Sequence, residues 1–255
     1  MRPSRSAATA SALALTLATL SGCAAAGEPG SQPARHTVVV LAASSLTESL
    51  TQAAMAFEKS HPDIDVQLSF ASSSTVVTQV NQGAPADLVA LAGRSAMDPL
   101  DKSRIATGGV RTLAGNTLEI ATPPGNPGKV NALADLSRPH LKVVLCVATA
   151  PCGKAAAKTL TAAGVAAHVV SYESDAKATL AKVQLGEADA AIIYHSDVVS
   201  AGTRVHGVPI PASVNQRLEY PMARLTDNPA TVAFATYLLS EQGRRDLREH
   251  GFLMP

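Results

Sequence analysis

The chain has 255 residues, 46% apolar and 16% charged, a balance that supports a buried core of one large or two modest domains and excludes a disordered chain. Aromatic residues make up 3% and tryptophan is absent, which argues against a site built on stacking with bases or sugars. The formal charge is +1 with no basic run, so no nucleic-acid face is expected.

Arg2 and Arg5 precede an apolar stretch, residues 7–20, that is too short for a comfortable membrane span. It ends in Leu20-Ser21-Gly22-Cys23, which resembles a bacterial lipobox, where the cysteine is lipidated and becomes the new N-terminus. An ordinary signal peptide with Cys23 by coincidence is the alternative. Residues 1–22 are thus read as a lipoprotein signal peptide, and residues 23–35 as a tether of linker composition. Cleavage removes two arginines and no acid, leaving a mature charge of about −1. With Cys23 carrying lipid, Cys146 and Cys152 remain, and outside the cytoplasm an even remainder predicts a disulfide worth about 2 kcal/mol.

From His36 strand and helix signals alternate, as in an α/β protein. Residues 37–42 form an apolar, β-branched run suited to a buried parallel strand. It ends at Ala43-Ser44-Ser45, and the following helix carries Leu46, Leu50, Ala54 and Phe57 on one face. Ser45-Leu46-Thr47-Glu48 has the form of a capping box, a purely structural role for Ser45. Residues 65–70 are a second strand, leading through Ala71-Ser72-Ser73-Ser74-Thr75 into a helix over 76–82 stopped by Gly83. Hydroxyls and free amides at two strand-to-helix turns suit an anion held between them, although Ser73 also makes a good cap.

A third strand covers 88–92 and another 118–121, followed by a segment rich in proline and glycine at 122–128. Residues 141–147 are a buried strand, leading through Pro151-Cys152-Gly153 into a helix over 154–163 ended by Gly164. A short strand at 168–171 precedes a helix capped by Ser174, with Ala176, Leu180 and Val183 on its face. Residues 190–194 are a strand ending in Tyr194, and a helical tail starts at Asn228-Pro229. Paired strand-to-helix turns in each half predict two α/β lobes facing one another, with the ligand beyond the carboxyl ends of the strands. The C-terminal tail is expected to return to the first lobe.

Catalytic alternatives lack support. Gly93-Arg94-Ser95-Ala96-Met97 misses the closing glycine of a nucleophile elbow. His195-Ser196-Asp197 holds three triad residue types, but on an extended segment neighbours point to opposite faces. No histidine pair or cysteine set has zinc-ligand spacing, and no Gly-x-x-x-x-Gly-Lys loop is present. The chain is therefore not expected to be an enzyme or to need a cofactor.

The segments Ala42-Ala43-Ser44-Ser45-Leu46, Phe70-Ala71-Ser72-Ser73-Ser74-Thr75, Gly83-Ala84-Pro85-Ala86-Asp87-Leu88, Leu113-Ala114-Gly115-Asn116, Tyr194-His195-Ser196-Asp197 and Gly251-Phe252 resemble the molybdate-binding proteins of bacterial ABC importers. The resemblance covers nearly all of residues 37–255. It implies a two-lobed periplasmic binding protein fold of type II, with 36–115 plus 207–255 as lobe 1 and 116–206 as lobe 2. It also implies a molybdate or tungstate ligand held by neutral donors on Ser45, Ser73, Cys152, Ala176 and Tyr194. It further implies a monomer that delivers the ligand to the permease and ATPase subunits of an importer; with the lipobox at Cys23, the expected location is the extracytoplasmic face of the cell membrane, anchored through the lipid. Sulfate in the same fold is the nearest alternative, and a surface lipoprotein outside transport a remoter one. Cys152 stands where many relatives have a small aliphatic residue, and only its amide would act. Arg94 is a departure from the family pattern and reads as a solvated surface residue; Glu173 and Asp175 lie near the matched positions.

Overall fold

The computed structural model describes residues 35–255, so the expected signal peptide, the expected lipidation at Cys23 and the tether up to residue 34 lie outside the described part. The strands and helices, in chain order, are β1 (His36–Ala43), α1 (Thr47–Ser60), β2 (Ile64–Ala71), α2 (Ser73–Asn81), β3 (Leu88–Ala90), β4 (Val110–Asn116), β5 (Leu118–Thr122), β6 (Val143–Cys146), α3 (Pro151–Ala163), β7 (Val169–Glu173), α4 (Ala176–Gln184), β8 (Ala190–Tyr194), α5 (His195–Ala201), β9 (His206–Pro209), β10 (Leu218–Arg224), α6 (Pro229–Leu239) and α7 (Glu241–Glu249). They form two five-stranded sheets, ordered β2-β1-β3-β10-β4 and β7-β6-β8-β5-β9.

The two sheets share one plan. In the first, β1 pairs in parallel with β2 and β3, and β10 runs antiparallel between β3 and β4. In the second, β6 pairs in parallel with β7 and β8, and β5 runs antiparallel between β8 and β9. Each sheet thus has three parallel strands whose carboxyl ends lead into helices, where open α/β sheets bind ligands. The chain passes between sheets at Thr117, between β4 and β5, and again between β9 and β10. After β10 it stays with the first sheet, where α6 and α7 pack beside α1.

The core explains the apolar runs. Val38, Val40 and Ala42 of β1 are sealed from solvent, and Leu46, Leu50, Ala54 and Phe57 are buried below them. Phe57 meets Phe234 of α6 edge-on at 5.1 Å between ring centroids, in the geometry aromatic quadrupoles favour. Val76, Val77 and Val80 of α2 pack with Leu91, Met97 and Leu100. Gly164 closes α3 with φ of 64°, a left-handed cap that glycine adopts without steric cost.

Several local expectations change. α2 begins at Ser73 and α3 at Pro151, about three residues before the expected starts, so both predicted binding turns are first helical turns. α4 is capped by Asp175, whose carboxylate accepts from the Lys177 and Ala178 amides, while Ser174 bonds to Asp175. A carboxylate oxygen that takes two amides outcompetes a hydroxyl at that end. His195–Ala201 is helical rather than extended. Its three triad-type side chains face different partners: Glu119 for His195, Asn116 for Ser196 and Lys177 for Asp197. The C-terminal helix breaks at Ser240, whose hydroxyl caps α7 through the Gly243 amide.

Candidate functional site

The first βα turn of each sheet reaches one small space, and so does the second. Ser45, Ser73, Cys152, Ala176 and Tyr194 all line this cavity, whose volume is about 10 Å³. That is far below the roughly 300 Å³ at which pockets for organic ligands begin. Ala43, Ala71, Ala92 and Ala150 form walls of it, since methyl groups at the strand ends leave room that larger side chains would fill.

The donors follow from helix geometry. The first intrahelical bond of α2 is Val76 N–H to Ser72 C=O, and that of α3 is Lys154 N–H to Ala150 C=O. The amides of Ser73 and Cys152 therefore have no acceptor within their helices. In α4 the amides of Lys177 and Ala178 are taken by Asp175 and the first intrahelical bond starts at Thr179, so the Ala176 amide is the one left over. Three helix N-termini thus direct positive dipole ends at one point.

The hydroxyls are set by contacts distant in sequence. Ser73 Oγ accepts from the Ala92 amide at 2.8 Å, which leaves its own proton for another acceptor. Ser45 does not cap α1: its Oγ lies 2.9 Å from Tyr220 Oη, and Tyr220 Oη accepts from Asn116 Nδ2 at 3.3 Å. Asn116 Nδ2 also donates to Ser196 Oγ at 2.8 Å. Either hydroxyl of the Ser45–Tyr220 pair can be the donor; when Tyr220 donates, the Ser45 proton is free to point away from that chain. The Tyr194 hydroxyl is buried, lines the cavity and makes no hydrogen bond of ordinary length among the described residues, its interaction with the Tyr220 hydroxyl being a longer one. Burial raises both phenols well above their ordinary range, so at physiological pH they are donors.

No lysine or arginine lines the cavity. Its one carboxylate, Asp175, is engaged through Oδ1 by the Lys177 and Ala178 amides and through Oδ2 by the Ser174 hydroxyl. Among the described residues no group of three histidine, cysteine or acidic side chains has the arrangement of a metal site. The arrangement suits a small anion that carries several acceptor oxygens and no proton to give away.

Two further features brace the site. Cys146 and Cys152 form a disulfide, Cα to Cα 5.8 Å, tying the end of β6 to the first turn of α3. One residue beyond Ala176, Lys177 Nζ sits 2.6 Å from Glu48 Oε2 of α1 and 2.9 Å from Asp197 Oδ1 of α5, joining the two halves of the molecule. Burial raises the Asp197 carboxyl, with Lys177 opposing. Burial works against the Lys177 charge, but Asp197 and Glu48 outweigh it and lift its pKa. Arg94 is exposed and pairs with Glu219 at 3.2 Å. Sequence reasoning missed Tyr220; a tyrosine beside Pro221, next to the buried run Met222-Ala223 of β10, was the available signal.

A family model for bacterial extracellular solute-binding proteins matches residues 38–253. The molybdate-binding protein ModA of Mycobacterium tuberculosis H37Rv is 37% identical over 250 residues, covering 95% of each chain. In structure, the periplasmic molybdate-binding protein of Azotobacter vinelandii aligns over 86% of this chain and 99% of its own, with a TM-score of 0.75 at 19% identity. The sulfate-binding protein SubI of M. tuberculosis gives 0.75 at 19% identity, covering 86% of each chain, so backbone shape does not separate the two ligands. The architecture is that of the two-lobed periplasmic binding proteins, and the chain belongs to the family of bacterial extracellular solute-binding proteins.

Proposed function

We propose that this chain is the extracytoplasmic receptor of an ABC importer and that it captures molybdate or tungstate between its two lobes. The observation that carries this reading is the buried Tyr194 hydroxyl, without a hydrogen bond of ordinary length and lining a cavity where three helix N-termini leave free amides and no cation intrudes. A dianion can be held without a counter-charge when dipoles and charge-assisted hydrogen bonds replace its water. At about 1.5–3 kcal/mol net each, the donors on Ser45, Ser73, Cys152, Ala176 and Tyr194 are sufficient for micromolar or tighter binding.

Phosphate fits less well. At neutral pH it usually keeps a proton that needs an acceptor, and the oxygens of the Asp175 carboxylate are already engaged. Sulfate matches the charge logic and is the second reading.

In this reading lobe 1 comprises 36–115 plus 207–255 and lobe 2 comprises 116–206, and donors from both satisfy different oxygens. The ligand therefore favours closure by its differential affinity for the closed form. The protein is a carrier rather than a catalyst, acts as a monomer, and passes its ligand to permease and ATPase subunits. Lipidation at Cys23 tethers it to the membrane surface.

The test is thermal unfolding with millimolar molybdate, tungstate, sulfate, phosphate or no anion. A ligand at about 1,000 times its dissociation constant adds about 4 kcal/mol, on the order of 10 °C for a chain of this size. Stabilisation by molybdate and tungstate is the expected result. Stabilisation by sulfate alone would change the substrate, and no shift with any anion would end the assignment.

A further inference from the structure

A second, larger concavity of about 600 Å³ lies directly against the anion cavity. Their walls interleave along the same three turns. Ser73, Ala92 and Ala150 face the inner cavity, their neighbours Ser74, Gly93 and Thr149 face the outer groove, and Pro151 lines both. The groove is walled by α2 and the Gly93–Ser95 turn from the first half and by α3 from the second. Parting of the halves would turn it into the open mouth of the site.

Its charge is unlike that of the inner cavity. Lys154, Lys158, Arg94 and Arg217 line it, with Glu219 as the one acid. Glu219 is engaged by Arg94, while the side chains of Lys154, Lys158 and Arg217 have no ion-pair or hydrogen-bond partner among the described residues. Fold stability does not account for this set. Lys154 is in the first turn of α3, where a cation opposes the helix dipole, and Lys158 one turn on repels it.

The inner site, built from dipoles, attracts only at short range. Beyond it the described residues carry balanced formal charge, 19 basic against 19 acidic, so long-range attraction for an anion must come from a local cluster. From this we infer that the groove is an outer, transient oxyanion site in which Lys154, Lys158 and Arg217 collect the dianion and raise its rate of capture. This rests on the oxyanion reading above and adds to it a place and a set of residues for the encounter step.

The experiment is stopped-flow binding of sodium molybdate to the purified protein, followed by tyrosine fluorescence, since the chain has four tyrosines and no tryptophan. Wild type is compared with K154Q/K158Q/R217Q and with K59Q/K129Q/R245Q, which removes the same charge away from the groove. At an ionic strength of about 20 mM the groove variant should associate about fivefold or more slowly than wild type. The gap should close to less than about twofold in 0.5 M salt, where screening is nearly complete. Its dissociation rate should stay unchanged, and the distant variant should associate like wild type. Equal association rates for the two variants, or an effect confined to dissociation, would overturn the outer site while leaving the inner one standing. Absence of molybdate binding by wild type would instead reject the oxyanion reading itself, and the outer site with it. Thermal melting of the variants checks that these exposed substitutions leave the fold intact.

Discussion

Replacing Tyr194 with phenylalanine separates a binding role from a structural one, because the two predict opposite signs. The phenol is buried and its oxygen makes no hydrogen bond of ordinary length among the described residues, so its hydroxyl is a cost to the unliganded fold. Removing an unsatisfied buried donor relieves about 1–3 kcal/mol. The ring packs edge-on against Tyr220 at 5.8 Å, a contact phenylalanine keeps. Ligand-free Tyr194→Phe should therefore melt as high as wild type or a few degrees higher, at roughly 2–4 °C per kcal/mol. For the anion the sign reverses. Loss of one hydrogen bond to a charged group costs about 1.5–3 kcal/mol, weakening the dissociation constant between about tenfold and a hundredfold. Tyr220→Phe is the contrast, since it strips a partner from Ser45 and Asn116 and should lower both stability and affinity. Calorimetric titration with molybdate and thermal melting of both variants give the comparison. If Tyr194→Phe destabilised the free protein and bound molybdate as tightly as wild type, the hydroxyl would be structural and the reasoning would fail.

Lys177→Met leaves the sealed Asp197 carboxyl without its counter-charge and should cost about 3 kcal/mol in urea unfolding. Because burial holds the folded Asp197 pKa above its unfolded value, its favourable contribution is present in acid and lost as pH rises through the folded value. The Lys177→Met deficit should therefore be smallest near pH 4 and grow toward neutrality. The pKa of His195 is raised chiefly by its hydrogen bond with Glu119. The stability it contributes is full below the unfolded value of about 6.5 and fades as pH rises through the folded one, so His195→Asn should flatten the melting profile from about pH 6.5 upward. The double variant Cys146→Ala with Cys152→Ala should lose about 2 kcal/mol of stability on the chain-entropy model. It should still bind molybdate, since the contribution assigned to residue 152 is its amide, and loss of all binding would contradict that assignment.

The parts of this molecule legible in the sequence are those dictated locally. β-branched runs gave the strands, and serines or a proline beside small residues marked the turns that face the cavity. Gly164 closes its helix where expected. The misreadings come from competition over longer distances. Ser45 and Glu48 have the spacing of a capping box, yet Ser45 bonds to Tyr220, 175 residues away, and Glu48 to Lys177, 129 residues away. The helices at Ser73 and Pro151 start early because unsatisfied amides tolerate, and here serve, a first turn opened toward the cavity. The hydroxyl relay through Asn116 and Tyr220 could not be read from spacing, since it exists only once β4, β10 and α5 meet. Cys146 and Cys152 were paired correctly because so few cysteines remained to choose from.

The most direct test of the central claim is isothermal titration of the purified protein with molybdate and with sulfate under identical conditions. One molybdate should bind per chain, at micromolar affinity or tighter, with sulfate far weaker. Saturable sulfate binding in the absence of any molybdate heat would contradict the substrate. Silence toward both anions would contradict a site made of converging helix ends and a buried tyrosine hydroxyl.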